Sequence, residues 1–162
     1  MPNQICLNDG KANFEKIIEF GANDDSTIDV AIADMNNDGF KDLILANRDG
    51  QQNYIYLNNG SLGFQERVAF GTGSDETRSI AIADFNSDGI LDIATANINQ
   101  ANMIYFGSSK QPFKNAVRTD ETGDRSFSVE IADVDGDGDT DLIFANAGQP
   151  NAILLISENG SK

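Results

Sequence analysis

The chain has 162 residues, a formal net charge of −15 at pH 7, no histidine and a single cysteine. This length suits one domain, and so acidic a surface disfavours nucleic acids and anionic membranes, because phosphate groups are bound by basic residues. The lack of histidine excludes a Ser-His or Cys-His catalytic site, and it also excludes a zinc site built from nitrogen and sulfur ligands.

The predicted strands follow a fixed order along the chain. Two short strand candidates, QICL and FEKIIEF, come first, followed by a strand that alternates apolar Ile28, Val30 and Ile32 with small or polar residues. After an acidic loop come the apolar run LILAN, an Asn-led strand NYIYL and a Phe-led strand FQERVAF. The series repeats with IATAN, NMIYF and FKNAVRT, and a third series reaches LIFAN and AILLIS without a Phe-led strand.

The acidic loops begin at Asp34, Asp84 and Asp133, at intervals of 50 and 49 residues. Repeats of this length made of short strands are typical of β-propeller blades. We therefore predict an all-β fold of four-stranded antiparallel blades, about three per chain, in a partial propeller or half of a homodimeric six-bladed ring. We place a half blade at residues 1–21, complete blades at 22–71 and 72–120, and a blade lacking its outer strand at 121–162.

Each acidic loop carries oxygen-bearing side chains at positions 1, 3, 5 and 9 and a glycine at position 6. The three loops are DMNNDGFKD, DFNSDGILD and DVDGDGDTD. Ca²⁺ takes six to eight oxygen ligands, which alternate residues of a short loop can supply, whereas Mg²⁺ demands a smaller octahedron and keeps several waters. Glycine at position 6 predicts a sharp turn with positive φ. The sequence therefore predicts about three Ca²⁺ ions per chain.

The predicted ligands are the side chains at positions 1, 3, 5 and 9 and the backbone carbonyl at position 7. In the first loop these are Asp34, Asn36, Asp38, Phe40 and Asp42. In the second loop they are Asp84, Asn86, Asp88, Ile90 and Asp92, and in the third they are Asp133, Asp135, Asp137, Asp139 and Asp141.

Two other interpretations of the loops are open. An EF-hand needs a glutamate at position 12 and a helix after the loop. Position 12 is instead Leu45, Thr95 or Phe144, within a strand-like apolar run. A turn of Asp, Asn and Gly without any metal is the simpler alternative, and its recurrence at three matched positions argues against it.

Three blades are too few for a closed ring, because propellers typically have four to eight blades. We expect either a head-to-tail homodimer, in which each chain supplies an outer strand to the other, or neighbouring blades of a longer chain. A rotation that closes gives a ring, and one that does not gives a filament.

The pattern IAIADFNSDGILDIATAN, with the Asn-led strand after it and the Phe-led FQERVAFGTG, resembles the FG-GAP or VCBS repeats of integrin-alpha-like β-propellers. The resemblance covers nearly the whole chain. It implies calcium bound through loop positions 1, 3, 5 and 9, and an extracellular or cell-surface protein. The implied function is that of a structural or adhesive scaffold with a glycan or protein ligand.

We expect no catalysis from this chain, although a role as part of a polysaccharide lyase or hydrolase is the alternative. The carboxylate pairs Asp24–Asp25 and Asp120–Glu121 are interpreted as solvated turns. Tyr54, Tyr56 and Tyr105 are candidate sugar platforms, but we expect Tyr56 and Tyr105 to pack between blades. No apolar run reaches the length of a membrane span, and the first residues carry no secretion signal, so we expect any such signal outside this sequence.

Overall fold

The computed structural model describes residues 2–110, 112–119 and 123–157, which form thirteen strands in four antiparallel sheets. The half blade contains β1 (Asn3–Leu7) and β2 (Lys16–Phe20). The first blade contains β3 (Thr27–Ala33), β4 (Asp42–Asn47), β5 (Gln51–Leu57) and β6 (Glu66–Asp75). The second contains β7 (Thr77–Ala83), β8 (Asp92–Asn97), β9 (Met103–Tyr105) and β10 (Ala116–Arg118). The third contains β11 (Ser126–Ala132), β12 (Asp141–Asn146) and β13 (Ala152–Leu154).

The predicted fold class is confirmed, because the described residues form strands without any helix, in antiparallel sheets whose neighbours follow chain order. The described part of the chain does not close into a ring, since no sheet joins the half blade to the third blade. The described residues contain no helix that could cross a membrane. The predicted blade boundaries remain predictions, and the one at 120–121 lies outside the described residues.

The Phe-led strands begin later than the sequence pattern predicts. β2 starts at Lys16 and β6 at Glu66, each two residues after its phenylalanine, and β10 starts only at Ala116. Phe113 has a φ of 59°, which is a left-handed conformation that an extended strand cannot accommodate. The phenylalanines therefore belong to turns that precede the outer strands.

The apolar core lies between successive blades. Between the first and second blades it contains Ala33, Ile44, Ala46, Ile55, Phe70, Ile80, Ile93, Tyr105 and Phe113. Between the second and third it contains Ala81, Phe85, Ala94, Ala96, Ile104, Val129, Leu142 and Phe144. A smaller cluster joins Leu45, Tyr56 and Phe64 of the first blade to Ile5 and Phe20 of the half blade. Since each blade covers its neighbour, most of the hydrophobic stabilisation is made between repeats.

A polar link accompanies each of these apolar contacts. In the first blade the Asn53 Oδ1 accepts the Asn47 N–H at 2.7 Å, and its Nδ2 donates to Thr77 Oγ1 of the next blade at 2.9 Å. In the second blade Asn102 makes the same pair of bonds, to the Asn97 N–H at 2.8 Å and to Ser126 Oγ at 2.7 Å. One buried asparagine side chain thus ties its own blade to the following one.

Candidate metal centres

Each acidic loop connects the first strand of a blade to the second. The predicted positive φ at position 6 is confirmed, with values of 90° at Gly39, 84° at Gly89 and 97° at Gly138. Position 4 is also left-handed, with a φ of 58° at Asn37 and 56° at Ser87. The sequence analysis missed this second turn, because asparagine and serine occur in many other conformations.

The first half of each loop wraps around the aspartate at position 1. Asp34 Oδ1 accepts the Asp38 N–H at 3.1 Å, and its Oδ2 accepts the Gly39 N–H at 2.8 Å. Asp84 accepts the corresponding N–H groups of Asp88 and Gly89. These bonds hold the loop in a tight turn and leave the position 1 carboxylate facing its centre.

Positions 3 and 5 are joined directly in the first two loops. The Asn36 Nδ2 donates to Asp38 Oδ2 at 2.9 Å, and the Asn86 Nδ2 donates to Asp88 Oδ2 at 3.2 Å. The position 3 amide therefore offers its Oδ1 to the loop and satisfies one oxygen of the position 5 carboxylate.

The aspartate at position 9 is buried in every loop and uses both of its carboxylate oxygens. Asp92 Oδ2 accepts the Phe85 N–H at 2.9 Å, and its Oδ1 accepts the Gly107 N–H at 2.8 Å. Asp42 is bonded in the same way to the N–H groups of Met35 and Asn58. Sequence reasoning predicted a metal ligand here, and the structure adds a second role. The side chain fastens the start of the loop to the end of the third strand.

The third loop brings three carboxylates together. One ligand atom from each of Asp133, Asp135 and Asp141 lies within 4.8 Å of the others, and among the described residues they form the one acidic or sulfur-containing group this close. Asp137 is outside this group, and its Oδ1 accepts the Asp139 N–H at 2.9 Å. In the first two loops position 3 is an asparagine, and the three aspartates at positions 1, 5 and 9 do not all lie within this limit of one another.

The carboxylates differ in their affinity for protons. Burial raises the pKa of Asp92, and two backbone N–H groups only partly offset it. Hydrogen bonds from the N–H groups of Ile156 and Val134 lower the pKa of Asp141. Partial desolvation, followed by the nearby charges of Asp137 and Asp141, raises the pKa of Asp135. The third loop therefore contains one carboxyl group that resists ionisation beside another that favours it.

The loops are strongly acidic, although Lys41 lies at position 8 of the first. The two ion pairs among the described residues, Arg48 with Asp49 and Arg78 with Glu76, lie elsewhere. Backbone N–H groups and the side-chain amides of Asn36 and Asn86 donate to the loop carboxylates, and the net negative charge that remains attracts a cation.

The tyrosines that were candidate sugar platforms are buried between blades or covered by another side chain. Tyr56 and Tyr105 are buried between blades, as expected. The ring of Tyr54 is covered by the Arg67 guanidinium, whose carbon lies 4.1 Å from the ring centre. Asp25 accepts the Ala22 N–H at 2.8 Å as part of a turn. The Asp120–Glu121 pair lies outside the described residues.

Comparison with known proteins yields one family. The family model described as FG-GAP-like repeat matches the chain twice, at residues 34–95 and at residues 84–144. Each match begins at the first aspartate of an acidic loop and ends within the second strand of the following blade. A search of curated proteins found no match.

Proposed function

The chain belongs to the FG-GAP-like repeat family, and from that premise we propose that it is a calcium-stabilised β-propeller module that acts as a non-catalytic binding scaffold. One Ca²⁺ would be held in each acidic loop, between the first and second strands of a blade. The family match itself supports a propeller-type binding module. Calcium, the ligand class and the location outside the cell are the proposed additions.

The observation that carries the calcium proposal is the group of three carboxylates in the third loop. Oxygen atoms bound to one Ca²⁺ lie about 2.4 Å from it, so two such atoms are at most about 4.8 Å apart. The oxygens of Asp133, Asp135 and Asp141 meet this limit for every pair. They are hard oxygen donors, as Ca²⁺ requires, and the position 7 carbonyl of Asp139 is the further ligand expected.

The first two loops offer a less charged set of the same donors. Each supplies three carboxylates and one amide oxygen, with Asn36 or Asn86 at position 3. The backbone carbonyls of Phe40 and Ile90 would complete the set. Since ligand charge tunes affinity, we expect these loops to bind Ca²⁺ more weakly than the third.

When bound, the cation supplies positive charge and links carboxylates that otherwise repel one another. We propose that the role of the bound ion is structural, because the position 9 aspartate that would bind it also ties the loop to the third strand. Exposed loops of this kind suit extracellular modules, whose dissociation constants are about 10⁻⁴–10⁻³ M. We therefore propose a location outside the cell.

A groove between the half blade and the first blade is the proposed ligand surface. It has a volume of about 520 Å³ and combines Phe64 and the edge of Tyr56 with Glu19, Gln65 and Arg67. Aromatic carbon beside a few polar groups is the usual composition of a site for small ligands. A glycan with both apolar and hydroxyl faces fits this mixture.

Counting bound ions tests the calcium proposal. Native mass spectrometry of the chain in calcium, and again after EGTA, is expected to show three ions that the chelator removes. Asp133→Asn is expected to lower the count by one, whereas Asp49→Asn, an exposed aspartate outside the loops, leaves it at three. A spectrum without calcium, or an equal loss in both variants, would contradict the proposal.

A glycan array tests the ligand. Binding in calcium that falls with Gln65→Ala and persists with Asn115→Ala, an exposed residue of the second blade, would support the groove. Binding that both variants retain would place the ligand elsewhere. Release of new chain ends from a polysaccharide would instead favour an enzyme.

A further inference from the structure

We propose that two copies of this chain assemble head to tail by exchanging a strand. In the assembly β1 of one copy pairs with β12 of the other copy and takes the place that β13 occupies in the isolated chain. The inference goes beyond the proposed calcium-binding scaffold, and it depends on neither the ions nor the ligand.

The half blade and the third blade are complementary parts of one sheet. The half blade supplies a third and a fourth strand, β1 and β2, and the third blade supplies a first and a second, β11 and β12. β13 is the repeat equivalent of β1, since β1 begins at Asn3 and β13 directly follows Asn151, the two asparagines at matched places in the repeat. Pairing β12 with β1 of another copy therefore gives a complete four-stranded blade.

The inner strand of the first blade lacks the cover that its equivalents have. Val30 is 52% exposed, whereas the equivalent residues Ile80 and Val129 are 7% and 2% exposed because a preceding blade packs against them. Ile28 and Ile32 of β3 are also exposed, but so are their equivalents Phe127 and Ile131 in the third blade, so Val30 carries this comparison. The half blade reaches only the outer part of this surface, around Leu45 and Tyr56. The surface that remains open is the area that β11 and β12 of another copy would cover.

The phenylalanine before each outer strand gives a second, independent comparison. Phe64 and Phe113 are buried against the preceding sheet, but Phe14 of the half blade is 50% exposed. In the proposed assembly Phe14 meets the second blade of the other copy. Val117 of that blade is exposed, while its equivalent Val68 packs into the core between the first and second blades.

Two asparagines at the bridging position, Asn3 and Asn151, each make one of the two hydrogen bonds that Asn53 and Asn102 make. Asn53 and Asn102 each accept from their own blade and donate to the next. Asn3 makes only the donor half, from Nδ2 to Thr27 Oγ1 at 3.2 Å, among the bonds of the described residues. Asn151 makes only the acceptor half, from the Asn146 N–H at 3.0 Å. With Asn3 of one copy beside Asn146 of the other, a single asparagine again makes both bonds.

Asn8 repeats the argument at the other end of β1. Its Oδ1 accepts the N–H groups of Gly10 and Ala12, as Asn58 Oδ1 accepts those of Gly60 and Leu62. The remaining donors of Asn58 bond within the blade, its N–H to Asp42 Oδ1 and its Nδ2 to the Lys41 carbonyl. Within the described part of the chain Asn8 has no second strand that offers these acceptors. Asp141 and Thr140 of another copy are at the equivalent positions.

The symmetry of the exchange produces a closed assembly. Each copy contributes its first and second blades, and the two exchanged blades complete a ring of six, which lies within the usual range for propellers. In this assembly the open edge of β1 is paired, and the exposed Val30 and Phe14 are covered. An unpaired edge beside exposed valine and isoleucine would otherwise promote uncontrolled aggregation.

Mass measurement with two matched variants tests the proposal. Native mass spectrometry and light scattering of the full chain are expected to give twice the chain mass of 17.5 kDa. Val30→Asp is expected to reduce the species to a single chain, because Val30 is covered only in the dimer. Ile153→Asp is expected to leave the dimer intact, because β13 is released on exchange, although Ile153 is as exposed as Val30. A wild-type monomer, a larger open assembly, a Val30→Asp dimer or an Ile153→Asp monomer would each overturn it.

Hydrogen exchange on the wild-type dimer supplies a test that needs no variant. Exchange of strands predicts protected amides along Asn3–Leu7 and fast-exchanging amides along Ala152–Leu154. The reverse pattern in a dimer would mean that the copies stack without exchanging strands, and the proposal would be wrong. Circular dichroism of Val30→Asp establishes that a monomeric variant is still folded.

Discussion

Among the predicted side-chain ligands, the first and third acidic loops differ only at position 3, where Asn36 of the first corresponds to Asp135 of the third. In the first loop Asn36 donates to Asp38, so the position 5 carboxylate is partly satisfied inside the loop. In the third loop Asp135 occupies that position and has no amide hydrogen to donate, and partial desolvation, followed by the charges of Asp137 and Asp141, raises its pKa. We infer that the third loop gains more from a bound cation than the first.

The surroundings of the loops amplify this difference. The third loop contains five acidic residues, whereas the first contains three and also includes Lys41. The third blade also has no outer strand among the described residues, so its loop belongs to the least enclosed of the three blades. We infer that the third loop is the strongest calcium site and also the first part to open when calcium is removed.

Removal of calcium should have the largest effect. A ligand present at 100 times its Kd stabilises the native state by about 2.7 kcal/mol per site, so EGTA should lower the melting temperature by many degrees. Hydrogen exchange should show the greatest loss of protection around Asp133–Asp141. An unchanged melting temperature would contradict the proposed role of calcium. An equal loss of hydrogen-exchange protection in all three loops would contradict the proposed difference between the first and third loops.

Asp92→Asn should have the next largest effect, and it should persist in EGTA. The carboxylate accepts backbone N–H groups with both oxygens while fully buried, so an asparagine would direct its own NH₂ group at one of them. Leaving a buried donor without an acceptor costs about 1–3 kcal/mol. Urea unfolding measures the loss. Asp88→Asn, at exposed position 5, is the control and should lose less in EGTA. A loss for Asp92→Asn that disappears in EGTA would mean that position 9 acts only through the metal.

Exchanging the residues at position 3 should reverse the contrast between the loops. Asp135→Asn is expected to weaken calcium binding in the third loop by about tenfold, because a charged ligand becomes neutral. It should also protect that loop in EGTA by restoring an amide donor to Asp137. Asn36→Asp should do the opposite in the first loop. Isothermal titration calorimetry gives the affinities, and unchanged affinities in both variants would show that position 3 does not contact the ion.

A smaller effect is expected in the pH dependence of the calcium-free chain. Asp141, whose pKa is lowered by its N–H donors, stabilises the fold above its unfolded pKa and loses this contribution as pH falls through its folded pKa. Asp92, whose pKa is raised by burial, favours the fold below its unfolded pKa, and that contribution is lost as pH rises through the folded pKa. Carbon-detected NMR titration should therefore place Asp92 above Asp141. The opposite order of the two pKa values would mean that burial of Asp92 and the N–H donors to Asp141 do not set them.

The sequence was sufficient to predict the repeat, the antiparallel strands and the sharp turn at Gly39, because each depends on residues close together in the chain. It did not reveal the two bonds of Asn53 or the enclosed position of Asp92, which arise only when blades pack. A signal for the first was present, however. Thr27, Thr77 and Ser126 each follow an asparagine at Asn3, Asn53 and Asn102 by 24 residues.

The late start of β10 could not be predicted, because a left-handed phenylalanine contradicts local preference. Phe113 is held in that conformation by the core between the first and second blades, where its ring is buried. Single-sequence patterns describe the average behaviour of a residue type, and tertiary packing decides such exceptions.

The bridging asparagines also bear on how this protein unfolds. If one blade melts, the buried hydroxyl or amide of its neighbour loses a hydrogen bond across the interface, so the neighbouring blade is destabilised as well. Such nearest-neighbour coupling makes a row of similar units behave as a single cooperative system. The hydrogen bonds of the bridging asparagines thus contribute to the coupling free energy between neighbouring blades. The size of that coupling determines how many blades unfold together.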